Sequence, residues 1–165
     1  NFNHRPEGAV TELIVIHGIS LPPGEYGGQE IEALFTNTLD ADAHPYFAEI
    51  SGLEVSAHFL VRRAGEVVQF VSTDARAWHA GVSCWQGREQ CNDFSIGIEL
   101  EGCDDEAYSD AQYDALNQLL AALTKQYPDI RHDAIVGHSD IAPGRKTDPG
   151  PAFNWSRVVA SQSQQ

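Results

Sequence analysis

The chain has 165 residues, 42% hydrophobic and 21% charged, the composition of one ordinary globular domain. No apolar run approaches the ~20 residues needed to cross a bilayer, which excludes a membrane-spanning helix. Lys plus Arg is 10 against 24 for Asp plus Glu, a formal net charge of −14, so the cations needed to hold a nucleic-acid backbone or an anionic lipid surface are missing.

The three cysteines, Cys84, Cys91 and Cys103, are odd in number and irregularly spaced. That is no disulfide framework, and it favours a reducing compartment. No secretory signal pattern is visible in the residues given.

Taken in chain order, Glu12 to His17 reads as a buried strand, a short β-branched run ending at turn chemistry. Leu21 to Gly28 holds two prolines and three glycines and is loop. Ile31, Leu34 and Phe35 mark a short helix from Gln29 to Phe35, and Asp40 to Tyr46 is expected to be irregular, with His44-Pro45 extended. The long region from Asn37 to Gly52 therefore reads as loop. Val55, Ala57, Phe59 and Val61 alternate with Ser56, His58 and Leu60, a strand with two distinct faces. Arg63 to Glu66 is a hairpin turn, and Val67 to Val71 the returning strand. Trp78 to Asn92 reads as loop.

From Phe94 to Glu101 the alternation is strict: Phe94, Ile96, Ile98 and Leu100 on one face, Ser95, Gly97, Glu99 and Glu101 on the other. Ser109 to Gln112 is a capping box opening a helix with Tyr113, Leu116, Leu119, Leu120, Leu123 and Tyr127 on one stripe, ended by Pro128. Ala134 to Gly137 is a short strand delivering His138, and Asn154 caps a final helix from about Trp155 to Ala160. Ser161 to Gln165 is a polar, frayed tail. The expected fold is a single α/β domain over residues 1–165, its core at about 10–160, with a mixed central β-sheet flanked by helices.

Chemistry could gather at strand ends. His17 ends the first strand, His138 follows Gly137, and Asp148 lies in Gly144 to Gly150. Two histidines and one carboxylate are a donor set for a catalytic zinc with an open position for water. Hydrogen-bonded edge histidines and a turn-forming aspartate would read the same way. Glu99 or Glu101 could be the general base of such a site, and spacing does not choose between them. Lys146 could oppose the charge of an oxyanion or be a plain surface lysine. His58 and His79 compete as ligands, and Trp78-His79 offers either a substrate-contact pair or core packing. A cysteine nucleophile built on Cys84 and His79 lacks any recognisable motif, and no phosphate-cradling glycine loop is present.

Five segments in order carry a resemblance: Leu13 to Gly28, Val55 to Leu60, Arg76 to Ser83, Cys91 to Gly102, and Gly137 to Gly150. Together they are similar to the zinc N-acetylmuramoyl-L-alanine amidase family, and within it to the AmpD-type enzymes that act on 1,6-anhydro-N-acetylmuramyl-L-alanine in cell-wall recycling. The likeness runs from about Asn1 to Trp155. It implies a mixed sheet packed by helices and one zinc ion held by His17, His138 and Asp148. It also implies Glu99, not Glu101, as the base and Lys146 as the group polarising the scissile carbonyl. The substrate would be a soluble anhydromuropeptide, the compartment cytoplasmic, and the unit a monomer with no nucleic-acid or membrane partner. Peptide-stem carboxylates require a local cationic cleft in so acidic a chain. Arg62, Arg63, Arg88, Arg145 and Lys146 are the candidates, with Trp78, His79, Arg62 and Arg88 as expected substrate contacts. The sequence departs from the family at Gly18, where relatives often carry Asn, and at Gly144, where they often carry Glu.

Overall fold

A computed structural model describes residues 1–158. Its centre is a five-stranded sheet in the order β4-β3-β8-β2-β9. The strands are β2 (Leu13–Ile19), β3 (Phe59–Val61), β4 (Val67–Gln69), β8 (Ser95–Glu101) and β9 (Ile135–Gly137). β2 runs parallel to both β8 and β9, and β3 parallel to β8, while β4 is an antiparallel edge. The sheet is mixed, as the sequence predicts.

All seven residues of β8 are buried, because both faces of the sheet are covered. Ile96, Ile98 and Leu100 pack with Tyr113, Leu116, Leu120 and Leu123 of the long helix α3 (Asp110–Gln126). Burying each such leucine contributes about 1.5–3 kcal/mol. The predicted capping box is present: Ser109 Oγ accepts from the Gln112 amide, and Gln112 Oε1 accepts from the Ser109 amide. On the opposite face, α1 (Glu30–Phe35) and α2 (Pro45–Ile50) bring Ile31, Leu34, Phe35 and Phe47 over Leu60 and Ala57.

Several expectations need correcting. The segment around His44-Pro45 is not merely irregular: His44 is the N-cap of α2, its Nδ1 accepting from the Tyr46 amide, with Pro45 in the first turn. Proline suits that position because its missing N–H would have had no helical partner. The predicted strand from Val55 pairs in the sheet only from Phe59, and His58, Phe59 and Leu60 are all buried, so the two-faced pattern marks polar contacts inside rather than solvent. The Trp78-to-Asn92 loop contains a small hairpin, β6 (Cys84–Trp85) with β7 (Arg88–Glu89). A short N-terminal strand, β1 (Phe2–His4), pairs with β5 (Ala75–Ala77). Asn154 does cap, but it opens a single 3-10 turn, Trp155–Arg157. The last two residues of the predicted final helix and the polar tail lie outside the described residues. All three cysteines are free. Among the described residues, no helix is long and apolar enough to cross a membrane.

Candidate active site

Three parallel strands present their carboxyl ends together, where ligands bind in open α/β sheets. His17 lies near the end of β2, Glu99 near the end of β8, and His138 starts the short helix α4 (His138–Ile141) directly after β9. The loop after α4 returns Asp148 to the same spot, its main-chain oxygen accepting from the Ser139 amide at 3.0 Å. A cleft of about 670 Å³ opens over them, with Leu21, Phe35, Tyr46 and Ile50 in its walls and Lys146 facing it.

His17 Nδ1 and His138 Nδ1 are 2.9 Å apart. Asp148 Oδ2 lies 3.4 Å from His17 Nδ1 and 3.2 Å from His138 Nδ1. Among the described residues these three form the group able to hold a metal ion. The donor chemistry fits a cation. His138 Nε2 is 3.0 Å from the Ala80 carbonyl, which can only accept, so that nitrogen carries a proton and Nδ1 is left to face the cluster. Three such atoms, two imidazole nitrogens and a carboxylate oxygen, need a shared proton or a cation among them to sit this close inside the protein. Burial pushes His17 down to about 4, against the opposing pull of Asp148. Burial alone would raise Asp148, but its hydrogen bonds with His138 and His17 hold it well below the usual carboxylate range. Two imidazoles and one carboxylate converging on one space are the donor types of a zinc site.

The two candidate carboxylates differ completely. Glu101 has both oxygens engaged: Oε1 accepts from the Gly27 amide at 2.6 Å and from Arg62, and Oε2 accepts from the Arg63 amide. It pins the Leu21-to-Gly28 loop to the sheet. Glu99 is 7% exposed, faces the cleft, and its Oε2 has no hydrogen-bond partner. Burial, reinforced by the charge of Asp148, holds its carboxyl well above the usual range. A carboxyl of high proton affinity with one oxygen free, beside the His17–His138–Asp148 cluster, has the chemistry a general base needs.

The other sequence candidates separate on position. His58 is structural: Nδ1 accepts from the Gly97 amide and Nε2 donates to the Ala75 carbonyl. His79 lines the deep wall of the cleft, but its Nδ1 is 2.8 Å from His17 Nε2, on the side of that ring away from His138 and Asp148. Trp78 does not line the cleft, and its indole donates to Asn3. The structure also moves two expected substrate contacts away. Arg62 is held by Glu32, Glu101 and the Gly28 carbonyl, and Arg88 pairs with Glu12 and lies over Phe94. Both are outside the cleft, because in an acidic chain arginines find carboxylates nearby. Arg145 binds the Ala80 and Val82 carbonyls, leaving Lys146 as the cation lining the cleft.

Sequence reasoning missed Tyr108, whose hydroxyl donates to the Pro149 carbonyl beside Asp148. A Cβ at Gly18 would collide with that hydroxyl. The glycine found where relatives often carry Asn is thus tied to the seat of Tyr108.

The family model for N-acetylmuramoyl-L-alanine amidases matches residues 7–151. The chain belongs to the N-acetylmuramoyl-L-alanine amidase family. One relative, the 1,6-anhydro-N-acetylmuramyl-L-alanine amidase AmpD of Escherichia coli (strain K12), is 62% identical over 157 residues, 95% of this chain and 85% of the relative. A crystal structure of a selenomethionine AmpD derivative superposes with a TM-score of 0.94 at 59% identity, covering 97% of this chain and 89% of the other. A more distant amidase, AmiD of E. coli in complex with anhydro-N-acetylmuramic acid-L-Ala-D-γ-Glu-L-Lys, superposes with a TM-score of 0.67 at 30% identity, covering 96% and 60%. The amidase fold expected from the sequence is the fold observed, and the amidase of this chain is of the AmpD type.

Proposed function

We propose that the chain hydrolyses the amide between the lactyl group of 1,6-anhydro-N-acetylmuramic acid and the L-alanine of a soluble stem peptide. One observation carries the reading: the unpartnered Glu99 Oε2 shares a cleft with the converging Nδ1 atoms of His17 and His138 and the carboxylate of Asp148. These three residues would hold one zinc ion. Bound there, the metal would supply Lewis acidity, activating water and polarising the scissile carbonyl.

The remaining steps belong to the chain's own groups. Glu99 takes a proton from the attacking water as its oxygen bonds to the carbonyl carbon. Lys146 opposes the negative charge that develops on the carbonyl oxygen. Glu99 then returns the proton to the alanine nitrogen as the C–N bond breaks, releasing a lactyl carboxylic acid and a free amine. The high proton affinity of buried Glu99 suits it to hold that proton between the two steps.

All five groups come from one chain, which supports a single amidase domain carrying a complete site, and the unit is read as a monomer. The free cysteines, with Cys84 exposed, support a reducing, cytoplasmic setting, and relatives named for the anhydro substrate support a role in cell-wall recycling.

The test is to incubate zinc-loaded protein separately with soluble 1,6-anhydromuramyl-tripeptide and with purified sacculi, quantifying released peptide by mass spectrometry. Fast release from the soluble substrate alone is expected. Comparable release from sacculi would overturn the recycling role, and release from neither would overturn the activity.

A further inference from the structure

The histidine behind the ligand cluster has a task of its own. His79 is buried between His17 and Ser95, its Nδ1 2.8 Å from His17 Nε2 and its Nε2 3.0 Å from Ser95 Oγ. The His17 and His79 rings stand at 90° with centroids 5.0 Å apart. Asn92 Oδ1 accepts from the His79 and Ala80 amides and fixes the backbone. Gly97 makes room: a Cβ there would stand 2.6 Å from His79 Nδ1. A side chain at position 97 would displace the ring from its contact with His17.

The two candidate imidazole ligands are oriented differently. His138 has its tautomer set by a carbonyl, which can only accept. The outer nitrogen of His17 faces another imidazole, which can donate or accept, so the chain Ser95–His79–His17 has two self-consistent neutral arrangements. In one, Ser95 donates to His79 Nε2, His79 Nδ1 donates to His17 Nε2, and His17 Nδ1 donates toward His138 Nδ1, 2.9 Å away. In the other, His17 Nε2 donates to His79 Nδ1, His79 Nε2 donates to Ser95 Oγ, and His17 Nδ1 turns a bare lone pair to the cleft. Each imidazole carries one proton in both arrangements, so the count is unchanged. Only the second arrangement offers a metal two imidazole lone pairs.

We infer that His79 is a positioning residue which, backed by Ser95 and seated on Gly97, accepts from His17 Nε2 and so holds His17 in its metal-binding tautomer. The inference rests on the reading of His17, His138 and Asp148 as ligands. Partners of this kind typically change metal affinity by about 10- to 100-fold.

Two measurements test it. Long-range ¹H–¹⁵N correlation of ¹⁵N-histidine protein should show the protons of both His17 and His79 on Nε2 when zinc is bound. A proton on His79 Nδ1 in the zinc-bound protein overturns the inference. Zinc affinity, read by competition with a chromophoric chelator, should fall about 10- to 100-fold in His79→Phe. It should recover in His79→Asn, whose Oδ1 falls near the position of Nδ1. Wild-type affinity in His79→Phe overturns the inference while leaving the ligand assignment intact. A wild-type protein that binds no zinc overturns both. Should His79→Phe fail to fold, the tautomer measurement on the wild type decides.

Discussion

His17 and Glu99 are register partners across the parallel β2–β8 pair, with Nδ1 and Oε1 4.0 Å apart. Partners in adjacent strands project to the same face, so pairing these two strands is what places a candidate base beside a candidate ligand. β2 and β8 are buried along almost their whole length, and a slip of one residue in either strand would turn its side chain to the opposite face and separate the pair. The geometry of the site is therefore a property of the centre of the fold.

Glu99→Gln is expected to retain zinc at wild-type affinity and to lose about 10²- to 10⁴-fold in kcat. Steady-state kinetics beside metal analysis of the same preparation checks it. Nearly full activity would remove Glu99 from the mechanism.

Glu101→Gln should show the opposite profile. It replaces a buried carboxylate that accepts from two main-chain amides and Arg62, and a loss of about 3–5 kcal/mol in urea unfolding is expected. The folded fraction should keep its kcat.

Asp148→Ala should lose zinc and activity together, and chelation of the wild type should abolish turnover while far-ultraviolet circular dichroism stays unchanged. The hydrophobic clusters around α3 and α1 hold the sheet without the ligands. Lys146→Ala should keep zinc and lose about 10²- to 10³-fold in kcat.

Part of the acid sensitivity should come from His58, which burial pushes down to about 4 from an ordinary value of 6.5. The folded state holds this ring neutral, whereas the unfolded chain takes up its proton near pH 6.5. Stability from this residue is fully present above pH 6.5 and is lost as pH falls toward 4, a change of about 3 kcal/mol. In His58→Gln the unfolding free energy should vary with pH by about that much less over this window. An unchanged slope would show that His58 is not buried as a neutral ring.

Much of this was legible in the chain itself. The β-branched run before His17, the alternation from Phe94 to Glu101 and the capping box at Ser109 are local patterns whose physics needs no partner, and they placed β2, β8 and α3. The five ordered motifs pointed to His17, His138, Asp148, Glu99 and Lys146 as members of one site, and the structure brings all five to one cleft. Tertiary structure alone decided the rest. Which carboxylate is free depends on which oxygens find amides, and Glu101 finds two from loops distant in sequence. Which arginines face the cleft depends on which carboxylates are nearer, and Arg62 and Arg88 were captured elsewhere. The place of His79 behind His17 had a faint signal in Gly97, a glycine inside a strand, which marks close approach of another group. Periodicity reports which face a residue occupies. It carries no information about which atom, 62 positions away along the chain, comes to rest against that face.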